Sequence, residues 1–316
     1  MTDLLLFTAG LIGLLIGGNQ LIKGAARLAS AFGISPLIIG LTVVALGTSA
    51  PELLVALNAA SSGASDLAMG NVVGSNIANI GLILAISALI LPMMLDWRIF
   101  RREIPLMIGF SVLVLILCLD GEIGRLDGLL LVGSFIIFTS IIYRQAQKER
   151  KEIQPELDEF ERQEDLIDKT HPLRELGRTT IGLVILVVSS QILVDAAVNI
   201  ARGIGVSELI IGVTMVAVGT SLPELVACVI ASTRRENDIV IGNVIGSNVS
   251  NLLIILGVVA LIQPIPVDPS LLGFELPVMI GFAALMLPLA LRRQMGRGMA
   301  VVYLAAYSAF IVLTLI

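Results

Sequence analysis

Residues 34–57 read ISPLIIGLTVVALGTSAPELLVAL, and residues 206–229 read VSELIIGVTMVAVGTSLPELVACV. Fourteen of these 24 positions are identical, at a constant offset of 172 residues. The register then continues without a gap. Residues 66–92, DLAMGNVVGSNIANIGLILAISALILP, pair with 238–264, DIVIGNVIGSNVSNLLIILGVVALIQP, and 14 of 27 positions match. Two blocks holding one offset exclude coincidence, so the chain is an internal duplication. Each block is an apolar run long enough to cross a ~30 Å hydrocarbon core. The first block of each half also carries a glutamate inside its run, Glu52 and Glu224.

The rest of the chain has the same character. Of its 316 residues 56% are hydrophobic and 14% charged, where a soluble domain has about a quarter charged; mean hydropathy is +0.97. Ten candidate spans emerge, at 4–22, 34–60, 66–91, 103–119, 126–143, 179–200, 208–231, 238–262, 271–291 and 299–316. The alternating pattern of a membrane barrel is absent. Lipid offers the backbone no hydrogen-bond partner, so the spans are expected to be helices. Met1-Thr2-Asp3 lacks the basic stretch of a signal peptide, so the first span is expected to remain in the protein.

Placing the N-terminus outside puts 18 of the 20 Lys and Arg in inner segments and leaves Arg125 and Arg202 outside. That separation follows the rule that positive charge stays inside, so both termini are expected outside. Five spans per half make the two repeats enter the membrane from opposite sides. The expected fold class is therefore all-α integral membrane, with ten transmembrane helices as two inverted five-helix repeats. Residues 1–143 form the first repeat, 144–178 a charged cytoplasmic linker and 179–316 the second repeat. The linker reads as a solvated helix or loop, and it has no D-x-D-x-D-G calcium loop. Cys118 and Cys228 fall within spans and read as small buried hydrophobes. His171, the single histidine, lies in the linker and makes no transition-metal site.

The polar residues inside the spans carry the chemistry. A carboxylate at mid-bilayer costs roughly 2.5–3.5 kcal/mol on insertion scales, so Glu52 and Glu224 are expected to face a cavity and bind something. Thr48 and Ser49 precede Glu52 at helical spacing, as Thr220 and Ser221 precede Glu224. Pro51 and Pro223 break the helix at this point and free carbonyls at Gly47 and Gly219, with Ala45 and Ala217 just before. The second motif, G-N-V-x-G-S-N-x-x-N, occupies 70–79 and 242–251. Asn71, Ser75 and Asn79 form one stripe, repeated by Asn243, Ser247 and Asn251. Ser75, Asn79, Ser247 and Asn251 are read as ligands. Asn71, Asn76, Asn243 and Asn248 fit either liganding or interhelical hydrogen bonding. The pooled donors are all oxygen with two carboxylates, a set that suits Ca²⁺ or Na⁺. Two negative charges balance one divalent or two monovalent cations, and this gives a physical reason for obligatory exchange.

GTSAPE…GNVVGSNIAN and GTSLPE…GNVIGSNVSN resemble the repeats of the calcium/cation antiporter superfamily, close to its prokaryotic sodium/calcium exchangers. The resemblance covers both repeats and the ten-span layout. It implies a central cluster of four sites taking Na⁺ and Ca²⁺ in turn. Glu52 and Glu224 would be shared carboxylate ligands. Thr48, Ser49, Thr220, Ser221, Ser75, Ser247 and Asn79 would add side-chain oxygens, and Ala45 and Ala217 carbonyls for outer Na⁺ sites. It also implies that spans 1 and 6 slide as a gate, with the Gly10, Gly13 and Gly17 face of span 1 permitting the movement. Some relatives have Asp where this chain has Asn251, an acid associated with potassium dependence, so no K⁺ requirement is expected. The linker holds no large regulatory insertion. The expected protein is a non-enzymatic antiporter in a prokaryotic plasma membrane, without a prosthetic group or nucleic-acid partner, working as a monomer within the lipid bilayer. A Ca²⁺/H⁺ antiporter would use the same glutamates, but the G-N-A-x-E pattern of proton-coupled relatives is missing. A cation channel could also be lined by such oxygens, although duplication and broken helices favour alternating access. No G-x-S-x-G or H-E-x-x-H motif supports a membrane enzyme.

Overall fold

A computed structural model describes residues 2–94, 101–163, 171–204 and 217–315. The long apolar runs form helices, as lipid requires of them. In chain order these are α1 (Thr2–Phe32), α2 (Pro36–Thr48), α3 (Ala50–Ser61), α4 (Ser65–Ile90), α5 (Glu103–Leu117), α6 (Arg125–Gln163), α7 (Pro172–Gly203), α8 (Ala217–Thr220), α9 (Leu222–Thr233), α10 (Asn237–Ile262), α11 (Glu275–Arg292) and α12 (Arg297–Leu315). Among the described residues eight helices are long and apolar enough to cross a membrane, or nine if α2 and α3 count as one span. The expected seventh span, 208–231, lies partly outside the described residues; its end is α8 and α9.

Helix bounds recur at the offset seen in the sequence. α3 and α4 begin and end 172 residues before α9 and α10. Among the described residues the all-helical fold is supplemented by four two-residue strands. β1 (Met93–Met94) pairs antiparallel with β4 (Gln294–Met295), and β2 (Glu122–Ile123) with β3 (Ile265–Pro266). Each sheet ties a loop of the first half to a loop of the second, and the register of one sheet maps onto the other under the same offset.

Several boundaries differ from those the hydropathy pattern predicts. α1 runs to Phe32 instead of stopping near 22, so Lys23 and Arg27 lie on the helix rather than in a loop. Arg27 is met there by Glu175, 1% exposed, which lies 3.6 Å from it and 3.1 Å from Arg178, while Lys23 is exposed. α6 continues through Gln163, and α7 starts at Pro172, where a proline at the first helical turn loses no hydrogen bond. Both ends of the predicted 144–178 linker are thus helical.

α1 and α7 pack antiparallel along their lengths. Gly10, Gly13, Gly17 and Gly24 meet Leu193, Ser189, Leu186 and Thr179 in turn. The glycine face of α1 is therefore occupied by α7, which joins these two helices to each other instead of leaving a smooth surface toward the bundle. At the centre lie α4 and α10, with 72% and 78% of their apolar windows buried. α2 crosses α10 at backbone contact: a Cβ on Gly242 would sit 2.5 Å from the Leu37 carbonyl oxygen, and one on Gly246 2.5 Å from that of Leu41.

Candidate cation-binding site

Three local distortions surround the buried acids. α2 and α3 meet at a 41° bend. Ser49 sits at the break with φ −82° and ψ 7°, and Ser221 has φ −86° and ψ 7° before α9. Pro51 and Pro223 cannot continue the preceding helix, and each stands at the first turn of the next one. Glu52 and Glu224 therefore lie in the first turns of new helices, where the aligned backbone N–H dipoles favour negative charge. The third distortion is a π-helical turn, found at Gly40–Val44, Asn79–Leu84 and Asn251–Ile255. Such turns cluster at functional sites, and here two of them begin at the final asparagine of each G-N-V-x-G-S-N-x-x-N motif.

Ser49 and Glu52 have the S-x-x-E spacing of a capping box, and so do Ser221 and Glu224. Neither serine makes a side-chain cap bond. Each hydroxyl instead reaches the acid of the other repeat. Ser49 Oγ donates to Glu224 Oε1 at 3.0 Å, and Ser221 Oγ to Glu52 Oε1 at 3.1 Å. Both acids are 1% exposed, and each keeps its second oxygen, Oε2, buried without a partner. Ser75 Oγ lies 3.3 Å from Ser221 Oγ. Thr48 is fully buried, with its hydroxyl 3.0 Å from the Val44 carbonyl and 3.2 Å from Asn243 Oδ1. Asn71 Nδ2 donates to the Glu52 carbonyl at 3.1 Å.

The remaining candidates are enclosed in the same way. Asn79, Ser247 and Asn251 are 2%, 0% and 0% exposed. Asn79 Oδ1, Ser247 Oγ and both amide atoms of Asn251 have no hydrogen-bond partner. Thr220 is buried beside Ser221. The Ala45 carbonyl accepts from the Ser49 N–H at 3.1 Å and lies 3.4 Å from the Thr48 hydroxyl; Ala217 opens α8. Unpartnered buried oxygens are costly in a protein interior. Carboxylate, hydroxyl and amide oxygens are the donor types that a hard cation takes.

A family model described as sodium/calcium exchanger protein matches residues 2–144 and 176–316, nearly the whole chain. The chain belongs to the sodium/calcium exchanger protein family. Relatives agree along its length. The putative antiporter CaxA of Alkalimonas amylolytica is 37% identical over 305 residues, 95% of each chain. The sodium/calcium exchanger MaX1 of Methanosarcina acetivorans is 31% identical, covering 98% of this chain and 97% of its own. The solved structure of the sodium-calcium exchanger NCX_Mj soaked with 10 mM Na⁺ and zero Ca²⁺ superposes with a TM-score of 0.84, at 30% identity and 98% coverage of both chains. This exchanger is thus a multi-pass membrane antiporter of cations.

Two groups in this exchanger's interior escaped the reading of the sequence. Cys228, expected to be only a small hydrophobe, accepts from Asn243 Nδ2 at 3.2 Å. Met107 Sδ accepts from Asn248 Nδ2 at 3.6 Å. A thioether in an apolar helix carries no sequence signal of such a role.

Proposed function

We propose that this protein exchanges Na⁺ for Ca²⁺ by alternating access, both ions using one buried site built on Glu52 and Glu224. The observation that carries the reading is the reciprocal pair of bonds, Ser49 to Glu224 and Ser221 to Glu52, with each Oε2 left buried and open. Thr48, Thr220, Ser49, Ser221, Ser75, Ser247, Asn79 and Asn251 supply further oxygens, with carbonyls from Ala45 and Ala217. The two acids neutralise one Ca²⁺ or two Na⁺. Empty, they leave two charges at membrane depth, where each is expensive. The loaded protein therefore crosses between states more readily than the empty one, and influx of one ion is tied to efflux of the other. Asn251 brings a neutral oxygen where an acid would bring a third charge, so K⁺ is not required.

The chain is read as ten spans in two inverted five-helix repeats, with α2 and α3 forming one broken span and the segment ending in α9 its mate. Both termini lie outside and 144–178 inside a prokaryotic plasma membrane. The strand pairs support this layout, because each joins loops that ten spans would place on the same side. Both acids come from one chain, so a single protomer in the bilayer suffices. The transported ions are its only ligands, without prosthetic group or catalysis.

The test is calcium-45 uptake into proteoliposomes loaded with NaCl, KCl or choline chloride, with an imposed pH gradient as a separate arm, for wild type and Glu52→Gln. Uptake driven by the outward Na⁺ gradient and lost in the variant is expected. Uptake driven by the pH gradient and indifferent to Na⁺ transfers the same glutamates to proton coupling. Steady calcium current without counter-transport points to a channel.

A further inference from the structure

Asn76 and Asn248 belong to the duplicated motif but have no place in the ligand set above. Both are buried, at 1% and 2% exposure. Asn248 is bonded on both sides of its amide. Its Nδ2 donates to Met107 Sδ at 3.6 Å, and its Oδ1 accepts from Asn79 Nδ2 at 2.9 Å. A thioether sulfur accepts and cannot donate, whereas an amide has a donating and an accepting end. Met107 therefore fixes the nitrogen end of Asn248 toward itself and its oxygen toward Asn79. That oxygen holds the nitrogen of Asn79, and Asn79 Oδ1 is left buried without a partner. A turned Asn79 would oppose two amide oxygens and present its N–H₂ to a cation.

The same three residue types recur at the repeat offset: Asn251 for Asn79, Asn76 for Asn248 and Met279 for Met107. All are buried. Yet both amide atoms of Asn76 and both of Asn251 are without partners. One chain of bonds is assembled and its counterpart, with identical parts, is not.

We propose that Asn248 is a positioning residue, turning the liganding asparagine of the other repeat, Asn79, so that its oxygen faces the cation, with Met107 setting the polarity. This rests on Asn79 and Asn251 being ligands in the exchange site proposed above. Asn248 directs its oxygen at the Asn79 amide nitrogen, which leaves Asn79 Oδ1 as the open oxygen of the pair.

The experiment measures Ca²⁺ affinity by calorimetry on the purified full chain, together with half-saturating Ca²⁺ and maximal rate in Na⁺-loaded proteoliposomes. The variants are Asn79→Ala, Asn248→Ala, their double variant and Met107→Leu. Asn79→Ala should weaken Ca²⁺ affinity by about tenfold, the scale of a lost ligand-strength polar contact. Asn248→Ala should approach that loss with the maximal rate within about twofold, and the double variant should be no weaker than Asn79→Ala alone. Met107→Leu keeps the volume and removes the acceptor, so it should weaken binding in wild type and not in an Asn79→Ala background. Losses that multiply would overturn the positioning role and make Asn248 a ligand or a packing residue. If Asn248→Ala does not fold, the Met107→Leu comparison in the two backgrounds decides by itself. An Asn79→Ala protein with unchanged affinity removes Asn79 from the site, a failure of the parent reading that the first single variant reveals.

Discussion

Two glycines five residues apart on α7 should respond to the same substitution with opposite sign. A Cβ on Gly182 would lie 2.4 Å from the Leu21 nitrogen and 2.9 Å from both the Gln20 carbonyl carbon and the Gly17 carbonyl oxygen. All three are backbone atoms, so no rotamer change relieves the contact. Ordinary contact begins at 3.4 Å, so α1 and α7 must separate locally by 1.0 Å, the difference between 3.4 and 2.4. Overpacking of this kind costs about 1–3 kcal/mol, and the absence of a yielding side chain places Gly182→Ala toward the upper end. Replacing a helical glycine by alanine returns about 1 kcal/mol through propensity. The net is a loss of about 2 kcal/mol. A Cβ on Gly177 meets nothing within 4 Å, so Gly177→Ala should keep the gain of about 1 kcal/mol. The assay is the apparent melting midpoint of each purified variant in one detergent, with calcium uptake measured in parallel. Gly182→Ala should melt below wild type and Gly177→Ala above it. The reasoning fails if Gly182→Ala is as stable as Gly177→Ala, because the close backbone approach of α1 and α7 would then not exist.

Other consequences are accessible by substitution. Ser49→Ala and Ser221→Ala each remove one hydroxyl bond to a buried carboxylate, worth about 1.5–3 kcal/mol, and should weaken Ca²⁺ binding at least about tenfold by calorimetry; a normal affinity in both would refute the crossed arrangement. Arg27 is half exposed and Glu175 also pairs with Arg178, so Arg27→Gln alone should cost less than about 1 kcal/mol. Removing Arg178 as well strands a buried carboxylate and should cost about 3–5 kcal/mol, read as a sharp fall in melting midpoint for the double variant only. Outside the spans, burial raises the Glu236 carboxyl above its ordinary value, with Asp238 adding to the rise and Arg234 opposing it. A raised folded value means the folded protein holds this proton to higher pH than the unfolded chain. The resulting cost to stability is absent below the ordinary carboxylate range and grows as pH climbs through the folded value. Glu236→Gln should therefore stabilise the protein at neutral pH and not in acid; an advantage independent of pH would count against the burial.

Local pattern was enough to place most elements and the two acids. The 172-residue offset is visible in the letters, and the bounds of α3, α4, α9 and α10 obey it to the residue. Hydropathy and proline are short-range signals, so they located the spans and the break before Glu52. Helix ends were less legible. Arg27 looks like part of a loop until Glu175, nearly 150 positions away, supplies its side of the helix with a counter-charge. The pairing inside the site was not legible at all. Ser49 and Glu52 share a face by spacing, yet Ser49 bonds Glu224, because the 41° bend and the packing of two repeats bring together atoms that lie 175 residues apart in the chain. The polarity of the Asn79 amide is more remote still, since it depends on a methionine sulfur on α5 reached through Asn248 on α10. Sequence determines what each segment can bury and where it must bend. Which oxygens are bonded and which are left open is decided only when the two halves close on each other, because that choice is a competition among partners no single segment contains.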